Sequence, residues 1–290
     1  VTADGRTIYC IDHQYNPHRI SIDGQQAVRL DIHNRFWNVA ISPDGTKLAA
    51  ILNRLEPTIY VMDLESAGAY KEYPLFVPDT NENQANCSVL FADVLEWTAD
   101  GRHIIYDVLN KELNVQGDTL EYWDIFRLQP DNGYIMQLIP DHPQDTHKGN
   151  PALASKNDDV IAFDYADSAG TMSILGFNMQ SGDLETLHDN NKSLGYPEFA
   201  SGDQSLIYEF HDGYYSSLYI KNLQPGEFSG KFVEQFCFAI RISGRDQWIT
   251  NSLDNAIAHG NDHGSTKEHP KAIGRDHKQG PGEMEQQGYP

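Results

Sequence analysis

Three carboxylates stand shortly behind aromatic residues in short apolar runs: Asp12 after Tyr9 in "IYCID", Asp107 after Tyr106 in "IIYDV" and Asp164 after Phe163 in "IAFDY". Carboxylates brought to similar heights around one axis favour a cation, either a hard metal ion held by oxygens or a basic peptide. A merely solvated acidic rim is the competing reading, because the chain carries 42 Asp and Glu against 21 Lys and Arg, a formal charge of −21. No metal or other cofactor is expected, and the basic partner is the reading carried forward. The same charge repels phosphate backbones and anionic membrane surfaces, which argues against nucleic acid as a partner. No run of about 20 apolar residues is present, so no membrane insertion is expected. Cys10, Cys87 and Cys237 lack metal spacing and cannot all pair. The residues of a nucleophile elbow (G-x-S-x-G), a zinc hydrolase (H-E-x-x-H), a P-loop or a dinucleotide loop (G-x-G-x-x-G) are missing from the sequence, and no catalytic residue is assigned.

The elements that would position these carboxylates repeat. An apolar strand, a turn of the Ser/Thr-x-Asp-Gly kind and a second strand recur as "VTADGRTIYCI" from Val1, "VAISPDGTKLAAI" from Val39 and "LEWTADGRHIIYDV" from Leu95. Weaker copies follow from Pro151 and Pro197, with a degenerate "IRISGRDQWIT" from Ile240. Each unit has a second half, of which "IYVMDL" at Ile59 to Leu64 and "IFRLQPDNGYIMQL" at Ile125 to Leu138 are examples. Four strands per unit, at a period of roughly 40 residues or more and without a helical pattern, predict an all-β propeller of four-stranded blades. Six turn motifs predict six blades over residues 1–250, the last of them incomplete.

In "ISPDGTKLAAI" followed by "IYVMDLESAG", and in "EWTADGRHIIY" followed by "IFRLQPDNG", the chain resembles the repeat of the TolB-like propellers. It departs from that repeat where Asn157-Asp158, Gly202-Asp203 and Gly244-Arg245-Asp246 replace Pro-Asp-Gly. The resemblance implies a six-bladed fold that binds proteins or peptides, commonly in the bacterial periplasm, and implies no reaction. A related propeller precedes the catalytic domain of prolyl-oligopeptidase-like hydrolases, so a substrate-gating fragment of such an enzyme is the alternative. A small-molecule site in a central acidic channel is a third possibility.

In this reading the Asp-Gly turns are scaffold, and Trp37 and Trp97 pack between blades. The opposite rim carries the long connections: Asp12 to His18, Val108 to Tyr122, Tyr165 to Thr171 and His211 to Ser217 between second and third strands, with Val77 to Ser88 and Pro140 to Gly149 between blades. Long loops on a rigid scaffold concentrate binding residues. The expected anchors are Tyr214, Tyr215, Tyr122 and Trp123 with His211 beside them, because loop aromatics supply large contact area at low entropic cost. Asp12, Asp107 and Asp164 would steer a basic protein or peptide toward them. Residues 251–290, rich in Gly, His, Lys, Glu and Gln with isolated apolar positions, are expected to be a disordered tail.

Overall fold

The structure, a computed structural model, describes residues 1–2, 4–30, 35–66, 69–78, 87–113, 117–139, 145–157, 159–191, 193–200, 202–211, 216–223 and 240–241. Its Asp-Gly turns are local hydrogen-bonded devices. Ser42 Oγ donates to Asp44 Oδ1 at 2.6 Å, the same oxygen accepts the Thr46 N–H at 3.0 Å, and Gly45 takes φ +74°. Glycine at that φ reverses the chain without the strain a Cβ would bring. The set recurs at Thr2 and Asp4 and at Thr98 and Asp100. In the last such turn, where Pro-Asp-Gly is lost, Asp203 instead accepts the N–H groups of Ser155 and Lys156 from the preceding unit.

These turns join antiparallel meanders, and the described residues contain no helix. The first sheet has β1 (Thr7–Ile11), β2 (Pro17–Ser21) and β3 (Ala27–Arg29). The second has β4 (Phe36–Ile41), β5 (Lys47–Leu52), β6 (Thr58–Asp63) and β7 (Tyr70–Pro74). The third comprises β8 (Cys87–Trp97), β9 (Ile104–Leu113), β10 (Thr119–Gln129) and β11 (Tyr134–Gln137). The fourth runs β12 (His147–Leu153), β13 (Val160–Ala166), β14 (Met172–Asn178) and β15 (Leu184–Asn191). The fifth holds β16 (Glu198–Phe199), β17 (Ser205–His211), β18 (Ser216–Asn222) and β19 (Ile240–Arg241). Because β1 follows its Asp-Gly turn, it is the counterpart of the second strand in the other sheets.

Five sheets, rather than the six expected, are formed by the described residues. The motif read as a sixth unit from Ile240 supplies β19, which pairs with β18 as the outer strand of the fifth sheet. An apolar-polar alternation such as Ile-Arg-Ile suits an outer strand as well as an inner one. The chain divides into two units, Val1–Arg245 and Asp246–Pro290; the second, which includes the expected 251–290 tail, lies outside the described residues.

Strand alternation gives the third and fourth sheets two buried faces, shared with the sheets on either side. Ile104, Tyr106 and Val108 pack with Ile51, Ile59 and Tyr73 of the second sheet, while Ile105 packs with Ile161 and Phe163 of the fourth. Each such aliphatic or aromatic burial contributes roughly 1.5–3 kcal/mol. Phe36, Ala50 and Leu52 meet Ile11 of the first sheet, and Ala162 and Ile174 meet Leu206 and Tyr208 of the fifth. The leading strands lie side by side, β4 by β8, β8 by β12 and β12 by β16, and β1 of the first sheet lies beside β4. Trp97 is inter-blade core as expected, 6% exposed, and its indole N–H donates to the Ala40 carbonyl at 3.1 Å. A buried ion pair also crosses between sheets, with Lys148 Nζ of β12 3.2 Å from Asp124 Oδ1 of β10.

Most of the stretch read as a long loop from Val108 to Tyr122 is strand. The β9–β10 pairing continues to Leu113 opposite Thr119, so the third sheet extends as a hairpin at the rim that bears the long connections.

Candidate functional site

On β9 and β13, Asp107 and Asp164 each follow a buried aromatic and so point to the opposite face from it. Both are 2% exposed. Asp107 accepts the Val94 N–H of its own sheet at 2.8 Å and the Asn150 N–H of the next sheet at 2.7 Å. Asp164 repeats the pattern one sheet on, accepting the N–H groups of Gly195 at 2.7 Å and Tyr196 at 2.9 Å. The two carboxylates share Asn150, whose side-chain amide donates to Asp164 Oδ2 at 3.0 Å. Register shifts in β8 between Ala92 and Leu95, and in β12 between Gly149 and Ala152, present the Val94 and Asn150 main-chain donors. Bulges of this kind re-aim a strand locally. Asn150 and Tyr196 have φ of +52° and +43°, an uncommon conformation for residues with a Cβ, and one that concentrates at functional sites.

Burial pushes Asp107 up to about 7, and the neighbouring negative charge of Asp93 adds to it, against the lowering effect of its two amide donors. Burial likewise pushes Asp164 up to about 6 against the Gly195, Tyr196 and Asn150 donors. Asp12 is placed differently. It lies beyond the end of β1, where a desolvation push upward is outweighed by donors from Asn16, His18 and Gln14 that hold it below the usual carboxylate range. His18 Nε2 is 2.9 Å from its Oδ2.

Asp107 and Asp164 form the floor of a cavity of about 350 Å³. Trp123, His147 and Tyr196 contribute its aromatic walls, with Asp93, Leu194 and Met172 completing the lining. Trp123 packs edge-on against Phe91, ring centroids 5.5 Å apart, and its main-chain N–H donates to His147 Nδ1 at 3.3 Å. Next to the cavity, the Trp37 indole N–H donates to Asp93 Oδ1. Trp37 is not packed between blades as expected; it is 47% exposed and stacks on Tyr15, itself exposed, at 6.1 Å. It sits at the start of β4, whereas the position matching Trp97 is Ile41 at the other end of that strand.

Of the anticipated residues, Asp107, Asp164 and Trp123 are therefore brought together. Tyr122 faces the other side of β10, its hydroxyl 3.5 Å from Cys87 Sγ. His211 is exposed at the end of β17, where its main-chain N–H and C=O both bond Ser193 Oγ. Tyr214 and Tyr215 lie outside the described residues. Sequence reasoning missed Trp37, Asp93, His147, Asn150 and Tyr196. The long connection ending at Gly149 marked the neighbourhood of His147, and nothing in the sequence set Tyr196 apart.

The leading strands enclose a second cavity of about 530 Å³ that includes Glu96, Glu198 and Val1. Burial and the charge of Glu198 push Glu96 up to about 8, while its Oε2 accepts the Leu153 N–H at 2.7 Å.

Antiparallel meanders packed face to face about their leading strands define a β-propeller. Solved propellers are similar to it. A putative TolB from Agrobacterium tumefaciens matches with 15% identity over 82% of this chain and 79% of that one, at a TM-score of 0.55. A prolyl endopeptidase matches with 11% identity over 84% of this chain and 36% of that one, at 0.50. TolB from Acinetobacter baumannii gives 15% identity over 77% and 62%, at 0.39. The chain thus spans about a third of the length of that endopeptidase. At these identities the likeness speaks for the fold alone. No protein-family model and no curated protein matches the chain.

Proposed function

We propose that the chain is a non-catalytic binding propeller that recognises a protein or peptide through the rim bearing the extended β9–β10 hairpin and the connections between sheets. The observation that carries this reading is the continuity of Tyr15, Trp37, Asp93 and the aromatic-walled cavity across four successive sheets on that rim. Exposed Trp and Tyr beside a preformed recess are the residues that dominate binding energy in interfaces. Similarity to TolB structures supports the same reading, and with it an extracytoplasmic location. Tyr214, Tyr215, Tyr122, His211 and Asp12 remain proposed contributors around this centre.

A second reading is a substrate-gating propeller from a prolyl-oligopeptidase-like hydrolase. It is favoured by the match to an endopeptidase whose length far exceeds this chain. A native protein much longer than 290 residues that reacts with a fluorophosphonate serine probe would support it over the first.

The binding reading is tested by selecting peptides from a displayed library against the protein and measuring them on the Trp37→Ala/Tyr196→Ala variant. Loss of more than about tenfold in affinity, at a nearly unchanged melting temperature, is expected, since such anchors typically contribute 2 kcal/mol or more. Undiminished binding of every selected peptide would remove the rim from the account.

A further inference from the structure

The cavity over Asp107 and Asp164 is more selective than a peptide-binding rim requires. We propose, resting on the binding reading above, that it receives the guanidinium group of an arginine side chain carried by the bound segment.

Shape and chemistry both lead there. A volume of about 350 Å³ is at the small end of ligand cavities, suited to one long side chain. Trp123 and Tyr196 line it, and planar guanidinium stacks on aromatic rings more readily than an ammonium does. An ionised carboxylate has about four acceptor positions. Among the described residues, the amide donors on Asp107 and Asp164 leave at least one on each. Two carboxylates side by side suit a forked donor better than a point charge. Among the described residues, no Lys or Arg lines the cavity. Lys148, although between His147 and Gly149 in sequence, is turned away and donates to Asp124 Oδ1 and, at 3.0 Å, to the Ile139 carbonyl. Among the described residues no three His, Cys, Asp or Glu side chains converge to hold a metal ion, so the negative charge is spread over a space of side-chain size.

Gly149 is the independent mark of access. Its φ is not in the left-handed region, so the backbone does not require glycine there, yet a Cβ on it would stand 3.2 Å from Asp107 Oδ2. Because Gly149 lines the cavity, a side chain there would crowd both that carboxylate and the space beside it.

Among the described residues, the titratable groups facing the space are Asp93 from β8, Asp107 from β9, His147 from β12, Asp164 from β13 and Tyr196 ahead of β16. With Asp107 near 7 and Asp164 near 6, a guanidinium would draw both to their ionised forms. Its binding therefore releases protons and tightens as pH rises from 6 to 8.

The test is calorimetric titration of the full chain with N-acetylarginine amide and with its neutral citrulline counterpart, at pH 6 and pH 8. Expected are at least about tenfold tighter binding of the arginine compound, an affinity gain of about threefold or more at pH 8, and a binding heat that varies with buffer ionisation. Gly149→Ala should weaken arginine binding about tenfold while the melting temperature stays within about 2 °C. Equal binding of citrulline, no binding of either compound at tens of millimolar, or indifference to Gly149→Ala would overturn the proposal. A selected peptide that depends on Trp37 and Tyr196 but tolerates arginine-to-citrulline exchange would overturn it while leaving the binding reading in place.

Discussion

Asp107 and Asp164 are structural fasteners that also line the proposed binding cavity. Asp107 fastens the bulged β12 of the next sheet and Asp164 the segment ahead of β16, each through main-chain N–H groups. Their burial has a consequence for stability. A carboxyl whose value is raised on folding, from 3.8 to about 7 for Asp107, contributes stability that is fully present below about pH 4 and is lost as pH rises through 7. Glu96 acts in the same direction. The melting temperature is therefore expected to fall between pH 5 and pH 8, and Asp107→Asn should flatten that slope even if it lowers the overall value. An unchanged slope in the variant would mean that Asp107 does not change protonation across this range. Both aspartates were legible in the sequence because each directly follows a strand aromatic. Asp12, three residues behind Tyr9, passes the end of its strand and joins a local turn instead. Their shared partner Asn150 was not legible, since it belongs to another sheet and acts through its main chain as much as its side chain.

Elements were legible where the turn chemistry was strong. Ser/Thr-x-Asp-Gly sets strand boundaries by local hydrogen bonds, and three copies of it frame the first three sheets. Trp37 and Trp97 could have been separated by counting from those turns. Trp97 directly precedes Thr98 and is buried; Trp37 is five residues before Ser42, roughly 16 Å along an extended strand, and emerges at the opposite rim. The degenerate copy from Ile240 lacked the Asp-Gly signal, and its first residues became an outer strand. What holds one element to the next was hidden, because the pairing of Lys148 with Asp124 joins residues 24 apart in sequence across two sheets. Their side chains are 3% and 0% exposed, so removing one partner strands a charge. Lys148→Met is expected to cost about 3–5 kcal/mol, a drop of roughly 10 °C in melting temperature. The double replacement Lys148→Met/Asp124→Leu should recover most of that loss, because an apolar pair of similar volume leaves no charge unsatisfied. Additive losses in the double variant would mean that the two side chains stabilise independently.

At the scale of the whole molecule, radial packing separates two rims of different composition. One rim is made of tight turns whose side chains bond to their own backbones, leaving little that could adapt to a partner. The other presents the β9–β10 hairpin, the Tyr15–Trp37 stack and the carboxylate-floored cavity. The propeller positions residues distant in sequence within one surface, so the repeat could point to a rim but not to the residues that meet on it. Hydrogen–deuterium exchange of the protein with and without a peptide selected for binding distinguishes the rims directly. Added protection is expected at residues 108–113, 119–124 and 193–197, with none at the turns of residues 42–46 and 98–102. Protection confined to those turns, with the hairpin and residues 193–197 unaffected, would contradict the assignment of binding to the elaborated rim.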